Sequence, residues 1–286
     1  MKISAIDIGS NSVRLLTWAD GKTLYKRIST TRLGEGLNES PYLNEEACER
    51  TAQAVSAFAR EARDDGADRV YAFATAAVRS SENPELFTDR VRELCGLQVD
   101  ILSGEREAEI GLSGALGGSD GGIIDVGGAS TEVIVRDKGK IIYSQSVNVG
   151  TVRILDYAGR DIHKITRFVE EKIADYGDVT FENSKIYAVG GTASRLASIK
   201  HGLKTYRPEI LQGTCLSLRE VLDLAKWLTA TPVEEIREKT ICGASADLIG
   251  GGAMLLYMIM DKLSVQSVTV SESDNLEGYI YSVTNG

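Results

Sequence analysis

Apolar positions along the chain fall into short strand-like runs separated by polar turns and longer helix-like stripes. Residues 3 to 8 read as a strand entered directly from the N-terminus, then a Gly9-Ser10-Asn11-Ser12 turn, a strand from Val13 to Trp18, a turn at Asp20-Gly21 and a strand from Thr23 toward Ile28. A helix is expected from Asn44, with Glu45 and Glu46 in its first turn, to Gly66, burying Val55, Phe58 and Ala62. Val70 to Ala74 has the composition of a buried strand, with a turn over Thr75 to Arg79; the next helix takes Asn83 as cap and Pro84 as its first residue. A short strand over Val99 to Leu102 leads to Ser103-Gly104, which opens an acidic helix carrying Glu105, Glu107 and Glu109.

The second half repeats this order. Ile6-Asp7-Ile8-Gly9-Ser10-Asn11-Ser12 aligns without a gap on Ile124-Asp125-Val126-Gly127-Gly128-Ala129-Ser130, and the same offset carries Gly21-Lys22 onto Gly139-Lys140 and Tyr25 onto Tyr143. A nearly equal offset sets Val70 to Phe73 against Ile186 to Val189, and Arg79 against Arg195. A duplicated order of units implies two similarly built α/β domains, with the boundary in the glycines at 117, 118, 121 and 122. The expected domains are therefore 1–118 and 119–286. Further expected elements are a helix near Ile162 to Tyr176, a strand from Lys185 to Val189 ending in Gly190-Gly191-Thr192, and a helix capped by Ser217 with Glu220. A helix start at Thr231-Pro232, an apolar buried helix from Ala246 to Leu263 and a strand over Val265 to Ser271 follow.

Composition adds limits rather than detail. With 43% hydrophobic and 26% charged residues, the chain has an ordinary globular make-up. A net charge of −9 argues against duplex nucleic acid or an anionic membrane as partner, so any polyanion must be met locally. Cys48, Cys95, Cys215 and Cys242 are widely spaced, and His163 and His201 are the only histidines, which signals neither a zinc site nor a disulfide framework. A cytoplasmic setting is expected, and a homodimer is compatible with these features.

The candidate chemistry lies in the doubled turn. Each copy runs an apolar strand into an Asp, then a Gly and small hydroxyl residues, an arrangement whose exposed N–H groups cradle phosphate oxygens while the Asp holds a divalent cation. Asp7 and Asp125 are thus expected to face one cleft that holds a phosphate chain and a metal ion. The Gly190-Gly191-Thr192 turn offers a helix N-terminus to an anion, with Arg195 and Lys200 following it. No carboxylate occurs between Lys185 and Arg207, which makes Arg195, Lys200, Lys204 and Arg207 candidates for a basic strip. A hydrolase also needs a carboxylate to orient water; Glu105, Glu107 and Glu109 all qualify by pattern, although neighbours two apart on a helix point to opposite sides.

These motifs, Asp7 to Leu15, Ala74 to Arg79, Ser103 to Ala108, Asp125 to Glu132 and Gly190 to Ser194, resemble in order those of the exopolyphosphatase and guanosine pentaphosphate phosphohydrolase (Ppx/GppA) family. The resemblance spans the whole chain. It implies two tandem ribonuclease H-like domains of the actin-like ATPase superfamily with phosphate bound in an interdomain cleft, and release of terminal phosphate from polyphosphate or guanosine pentaphosphate with Mg²⁺. It points to Glu107 as the water-activating base, Asp125 and Glu132 as magnesium and water ligands beside Asp7, Arg79 as a phosphate contact, and Gly128, Gly191 and Thr192 as backbone cradle. Ser10, Asn11, Ser12, Arg14, Gly127, Ser130, Gly190, Arg195 and Lys200 complete the expected substrate contacts. Departures from the family pattern are Arg106 in place of an acid, Ala129 in place of a third glycine, Ser245-Ala246-Asp247-Leu248, and Asp274-Asn275-Leu276-Glu277-Gly278 in place of Gly-Leu-Arg-Glu-Gly. An ATP-dependent small-molecule kinase, with Gly250-Gly251-Gly252-Ala253 as adenosine turn, and a non-catalytic polyphosphate or nucleotide sensor are the alternatives.

Overall fold

The computed structural model describes residues 1–37 and 39–284 and divides into two compact units, Met1–Gly114 joined by the chain from Asn275 onward, and Ala115–Asp274. In the first unit, β1 (Lys2–Ile8), β2 (Ser12–Ala19) and β3 (Lys22–Thr30) form an antiparallel meander. Helix α1 (Glu45–Asp64) starts at Asn44, whose side chain accepts from the N–H of Ala47 at 3.1 Å. Then come β4 (Arg69–Ala74), the short helix α2 (Ala76–Arg79), α3 (Pro84–Cys95), β5 (Val99–Ile101) and α4 (Gly104–Leu116). The sheet order is β3-β2-β1-β4-β5, with β4 parallel to β1 and β5 parallel to β4. The central β1 is buried on both faces from Ile3 onward, as a strand covered on two sides must be. One face packs on α1 and α3 through Ile6, Ile8, Val55, Phe87 and Val91.

The opposite face is covered by the end of the chain. Leu276, Tyr279 and Ile280 pack with Ile3, Phe73, Leu102 and Ile110, and the Tyr279 ring stacks on Phe73 at 4.4 Å between centroids.

The second unit repeats the plan with β6 (Gly121–Val126), β7 (Thr131–Asp137), β8 (Lys140–Val147), α5 (Thr151–Ala158), α6 (Ile162–Ile173), β9 (Ile186–Val189) and α7 (Gly190–Lys200). It continues with α8 (Pro208–Leu211), β10 (Cys215–Ser217), α9 (Leu218–Ala230), α10 (Val233–Lys239), α11 (Ile249–Lys262) and β11 (Ser267–Val270). The last helix of the chain, α12 (Asn275–Thr284), returns to the first unit. The second sheet runs β8-β7-β6-β9-β11-β10, the first unit's order with an added antiparallel edge strand. Even irregularities recur: both hairpins turn on successive positive-φ residues, Asp20-Gly21 and Lys138-Gly139, and each carries a register shift at the matching place, Thr17/Trp18 and Val135/Arg136.

Two expectations change. The division falls between Gly114 and Ala115, not between 118 and 119, and the chain from Asn275 groups with the first unit because its apolar face completes the first sheet's core. Residues 76–79, read as a turn, form a helical turn, and α5 was not anticipated because its eight residues are too short for a clear period. The glycines of α11 are packing positions: a Cβ at Gly251 would meet Ile154 at 2.8 Å and one at Gly252 would meet Thr192 Oγ1 at 2.8 Å.

Candidate functional site

In each unit most of the predicted residues lie where the parallel strands end, the usual place for ligands in α/β sheets. In the first unit the turn after β1 is closed by the Gly9 N–H donating to the Ser12 carbonyl at 3.0 Å. Ser10 is buried, and Asn11 and Ser12 are half-buried. The Asn11 amide oxygen lies buried without a hydrogen bond. Asp7, only 3% exposed, stands directly opposite Arg14 in the β1–β2 register, and the Arg14 guanidinium forms an ion pair with its carboxylate.

Arg79, at the end of α2, donates through Nη1 to the Leu102 carbonyl at 3.0 Å and to Glu107 Oε2 at 2.5 Å. Of the three acids on α4, Glu107 is buried at 6% exposure, while Glu105 and Glu109 are exposed. Helical geometry separates them as the two-residue spacing requires. The departure at Arg106 has a local account: its guanidinium pairs with Asp100 at 2.8 Å, and Asp100 also accepts from the Tyr279 hydroxyl at 3.0 Å. Burial raises the Tyr279 pKa first, and the Asp100 charge adds to it.

In the second unit the turn after β6 is closed in the same way, Gly127 N–H to the Ser130 carbonyl at 3.0 Å. Gly127 and Gly128 are half-buried and Ser130 is buried. Asp125 stands opposite Glu132, which stands opposite Ser146, so that one row crosses three strands. Ser146 Oγ donates to Glu132 Oε1 at 2.7 Å. Where the first hairpin sets an arginine against its aspartate, the second sets a glutamate, and the pair has the character of a cation site. Gly190 faces Asp125: its φ is +81° and a Cβ there would come 2.7 Å from Asp125 Oδ1, so both backbone and space call for glycine. Thr192 is buried in the first turn of α7.

Arg195 folds back over that turn, donating from Nη1 to the Gly191 carbonyl at 2.9 Å and from Nη2 to Ser245 Oγ at 3.3 Å. Its surroundings are dry enough to lower its pKa, an effect that Cys242 and Tyr206 oppose. Lys200 does not join this group. It pairs with Glu220 at 2.6 Å and donates to the Cys215 carbonyl at 2.9 Å. Lys204 donates to the Lys239 carbonyl at 2.7 Å, and Arg207 pairs with Glu209. The basic run is thus engaged by groups from sequence-distant or following elements, which its composition alone does not show.

Sequence reasoning passed over Arg153, on α5, which donates from Nε to the Ala129 carbonyl at 2.8 Å. A lone arginine beyond the motif gives no pattern; only the fold brings it to the turn.

For a divalent cation, the described residues offer no cluster of three or more His, Cys, Asp or Glu side chains. Mg²⁺ needs less than that, since it binds through one or two carboxylates with substrate phosphates and water. The opposed Asp125 and Glu132 fit it. Asp7 fits it less well, because the Arg14 guanidinium already pairs with its Oδ2. No helix among the described residues is long and apolar enough to cross a membrane.

Two tandem α/β units of one strand order, each with an Asp-Gly turn at the end of its first strand, are the actin-like arrangement. The chain belongs to the Ppx/GppA phosphatase family, whose model matches residues 17–285. It is 28% identical to a bifunctional 3-dehydroquinate synthase/phosphatase of Fusobacterium nucleatum over 97% of this chain and 46% of that one. It is likewise 28% identical to a guanosine-5'-triphosphate,3'-diphosphate pyrophosphatase of Photobacterium profundum over 97% and 58% of the two chains. With exopolyphosphatase 2 of Mycobacterium tuberculosis it shares 26% identity over 99% and 98%. The chain therefore spans about half the length of two of these curated relatives and nearly all of the third. Among solved structures, an exopolyphosphatase from Cytophaga hutchinsonii superposes with a TM-score of 0.87 at 25% identity, covering 100% of this chain and 98% of that one.

Proposed function

We propose that the chain is a phosphoanhydride hydrolase that releases terminal phosphate from inorganic polyphosphate or from guanosine pentaphosphate. The observation that carries this reading is the second hairpin, where two opposed carboxylates, Asp125 and Glu132, adjoin a turn whose N–H groups suit phosphate oxygens. A hard cation and a phosphate group are then served by one element. Relatives named for exactly these two substrate classes support it.

Glu107 takes the role of general base, accepting a proton from the attacking water while Arg79 holds its other interactions in one orientation. Asp125 and Glu132 hold Mg²⁺, which when bound neutralises charge on phosphate oxygens. Ser10, Asn11, Ser12, Gly127, Gly128, Ser130, Gly190, Gly191 and Thr192 are the candidate donors to phosphate. Arg14 and Arg195 add positive charge, Arg14 being placed by Asp7. Gly251 and Gly252 pack closely against Ile154 and Thr192, which favours a packing role for these glycines over an adenosine turn.

The deciding experiment measures inorganic phosphate released from polyphosphate, and separately from guanosine pentaphosphate, with Mg²⁺ and no ATP or acceptor. Release sustained over many turnovers is expected from at least one of them. Tight binding without release would mark a sensor, and dependence on ATP and an acceptor would mark a kinase.

A further inference from the structure

The second hairpin turn is held from behind. Thr151 N–H donates to the Gly127 carbonyl and Val152 N–H to the Gly128 carbonyl, both at 2.9 Å, from the first turn of α5. The Ala129 carbonyl accepts from Arg153 Nε at 2.8 Å. α5 lies close enough for this because residue 150 is glycine, whose Cβ would collide with the Gly128 carbonyl.

In a trans peptide the C=O and the following N–H point in opposite directions. Tying the carbonyls of residues 127, 128 and 129 toward α5 therefore turns the N–H groups of Gly128, Ala129 and Ser130 away from it. Those three N–H groups have no protein acceptor among the described residues. Orphaned backbone donors are rare, and successive ones form an anion nest.

The first hairpin is pinned by main chain alone, with Gly34 N–H on the Ser10 carbonyl at 2.8 Å and the N–H groups of Thr31 and Arg32 on the Asn11 carbonyl at 3.0 and 2.9 Å. Asn11 matches Ala129 in the repeat. The carbonyl held by backbone in one unit is thus held by a side chain in the other.

We propose that Arg153 is a positioning residue for bound phosphate, its guanidinium fixing the Ala129–Ser130 peptide so that the Ser130 N–H presents to a phosphoryl oxygen. The inference rests on the reading of this hairpin as a phosphate turn. Burial lowers the Arg153 pKa, with the Asp156 charge acting in the opposite sense, so the cation lies in a partly dry setting where its field is weakly screened.

The test uses the full chain and inorganic tripolyphosphate, with affinity by calorimetry and phosphate release in parallel. Arg153→Ala should weaken binding by about 10- to 100-fold, the usual cost of losing a residue that orients a ligand group. Millimolar guanidinium chloride should restore part of that loss, and Arg153→Lys, which keeps charge but not the planar donor, should remain weak. Wild-type affinity in the Ala variant, or a loss that follows unfolding and ignores guanidinium, would overturn the proposal. If the Ala variant does not fold, the Lys variant decides, and wild-type affinity there overturns it. Failure of the unaltered protein to bind tripolyphosphate would overturn the phosphate-turn reading, and this inference with it.

Discussion

The Arg79 guanidinium stands 2.5 Å from the Glu107 carboxylate, linking the helical turn after β4 to the first turns of α4. With its side chain 7% exposed, Glu107 would be costly to bury without such a partner. The pair holds the Glu107 carboxylate in one orientation beside the strand ends, which a base acting on water requires.

Glu107→Gln keeps shape and removes the proposed base, so turnover should fall about 10²–10⁴-fold with substrate binding retained. Glu105→Gln and Glu109→Gln, both exposed, should stay within a few-fold of wild type. Steady-state rates of the three variants check this, and a near-normal Glu107→Gln enzyme rules out the assignment. Arg79→Met should in addition cost about 2 kcal/mol of stability in denaturant titration, since it removes a charged hydrogen bond at a buried acid.

Asp125→Asn and Glu132→Gln should each weaken Mn²⁺ binding, followed by electron paramagnetic resonance, by about tenfold or more. Excess chelator should abolish phosphate release by the unaltered protein, and full activity in chelator would remove the cation from the mechanism. Asp7→Asn, by contrast, should leave Mn²⁺ affinity closer to wild type, because the Arg14 guanidinium already pairs with Asp7 Oδ2.

Gly278 on α12 approaches α4 so closely that a Cβ would collide with the Ile110 carbonyl. Gly278→Ala should destabilise by about 1–3 kcal/mol through overpacking. Displacement of α4 should lower kcat through Glu107 as well. A variant with unchanged melting temperature and kcat would mean that α12 does not fix α4.

Glu220, in the capping box of α9, is held down at about 2, chiefly by its hydrogen bond to Lys200 and then by Ser217. The folded value lies below the unfolded one of about 4.3, so the contribution is complete above that pH and is lost as pH falls toward 2. With the side chain 43% exposed, screening limits it to about 1 kcal/mol. Glu220→Gln should flatten the stability–pH curve between those values in thermal melts; an unchanged curve would place the acid sensitivity elsewhere.

The repeat was legible in the chain itself. Asp-apolar-Gly followed by Ser, a turn glycine and a tyrosine at one offset specify hairpins through local rules of pleat and turn, and the paired turns and matched register shifts are their outcome. The separation of Glu107 from Glu105 and Glu109 was legible in the same way, because helical period alone puts them on different sides. Tertiary structure decided what long-range contact decides. The terminal helix returns to the first unit because Leu276, Tyr279 and Ile280 find their apolar partners there. The run from Lys185 to Arg207 contains no carboxylate, yet Lys200 meets Glu220 from another helix. Arg153 reaches the Ala129 carbonyl only because α5 packs against the turn. Local pattern fixes period and turn chemistry, whereas partners distant in sequence are chosen by burial and charge pairing, which no window of the chain contains.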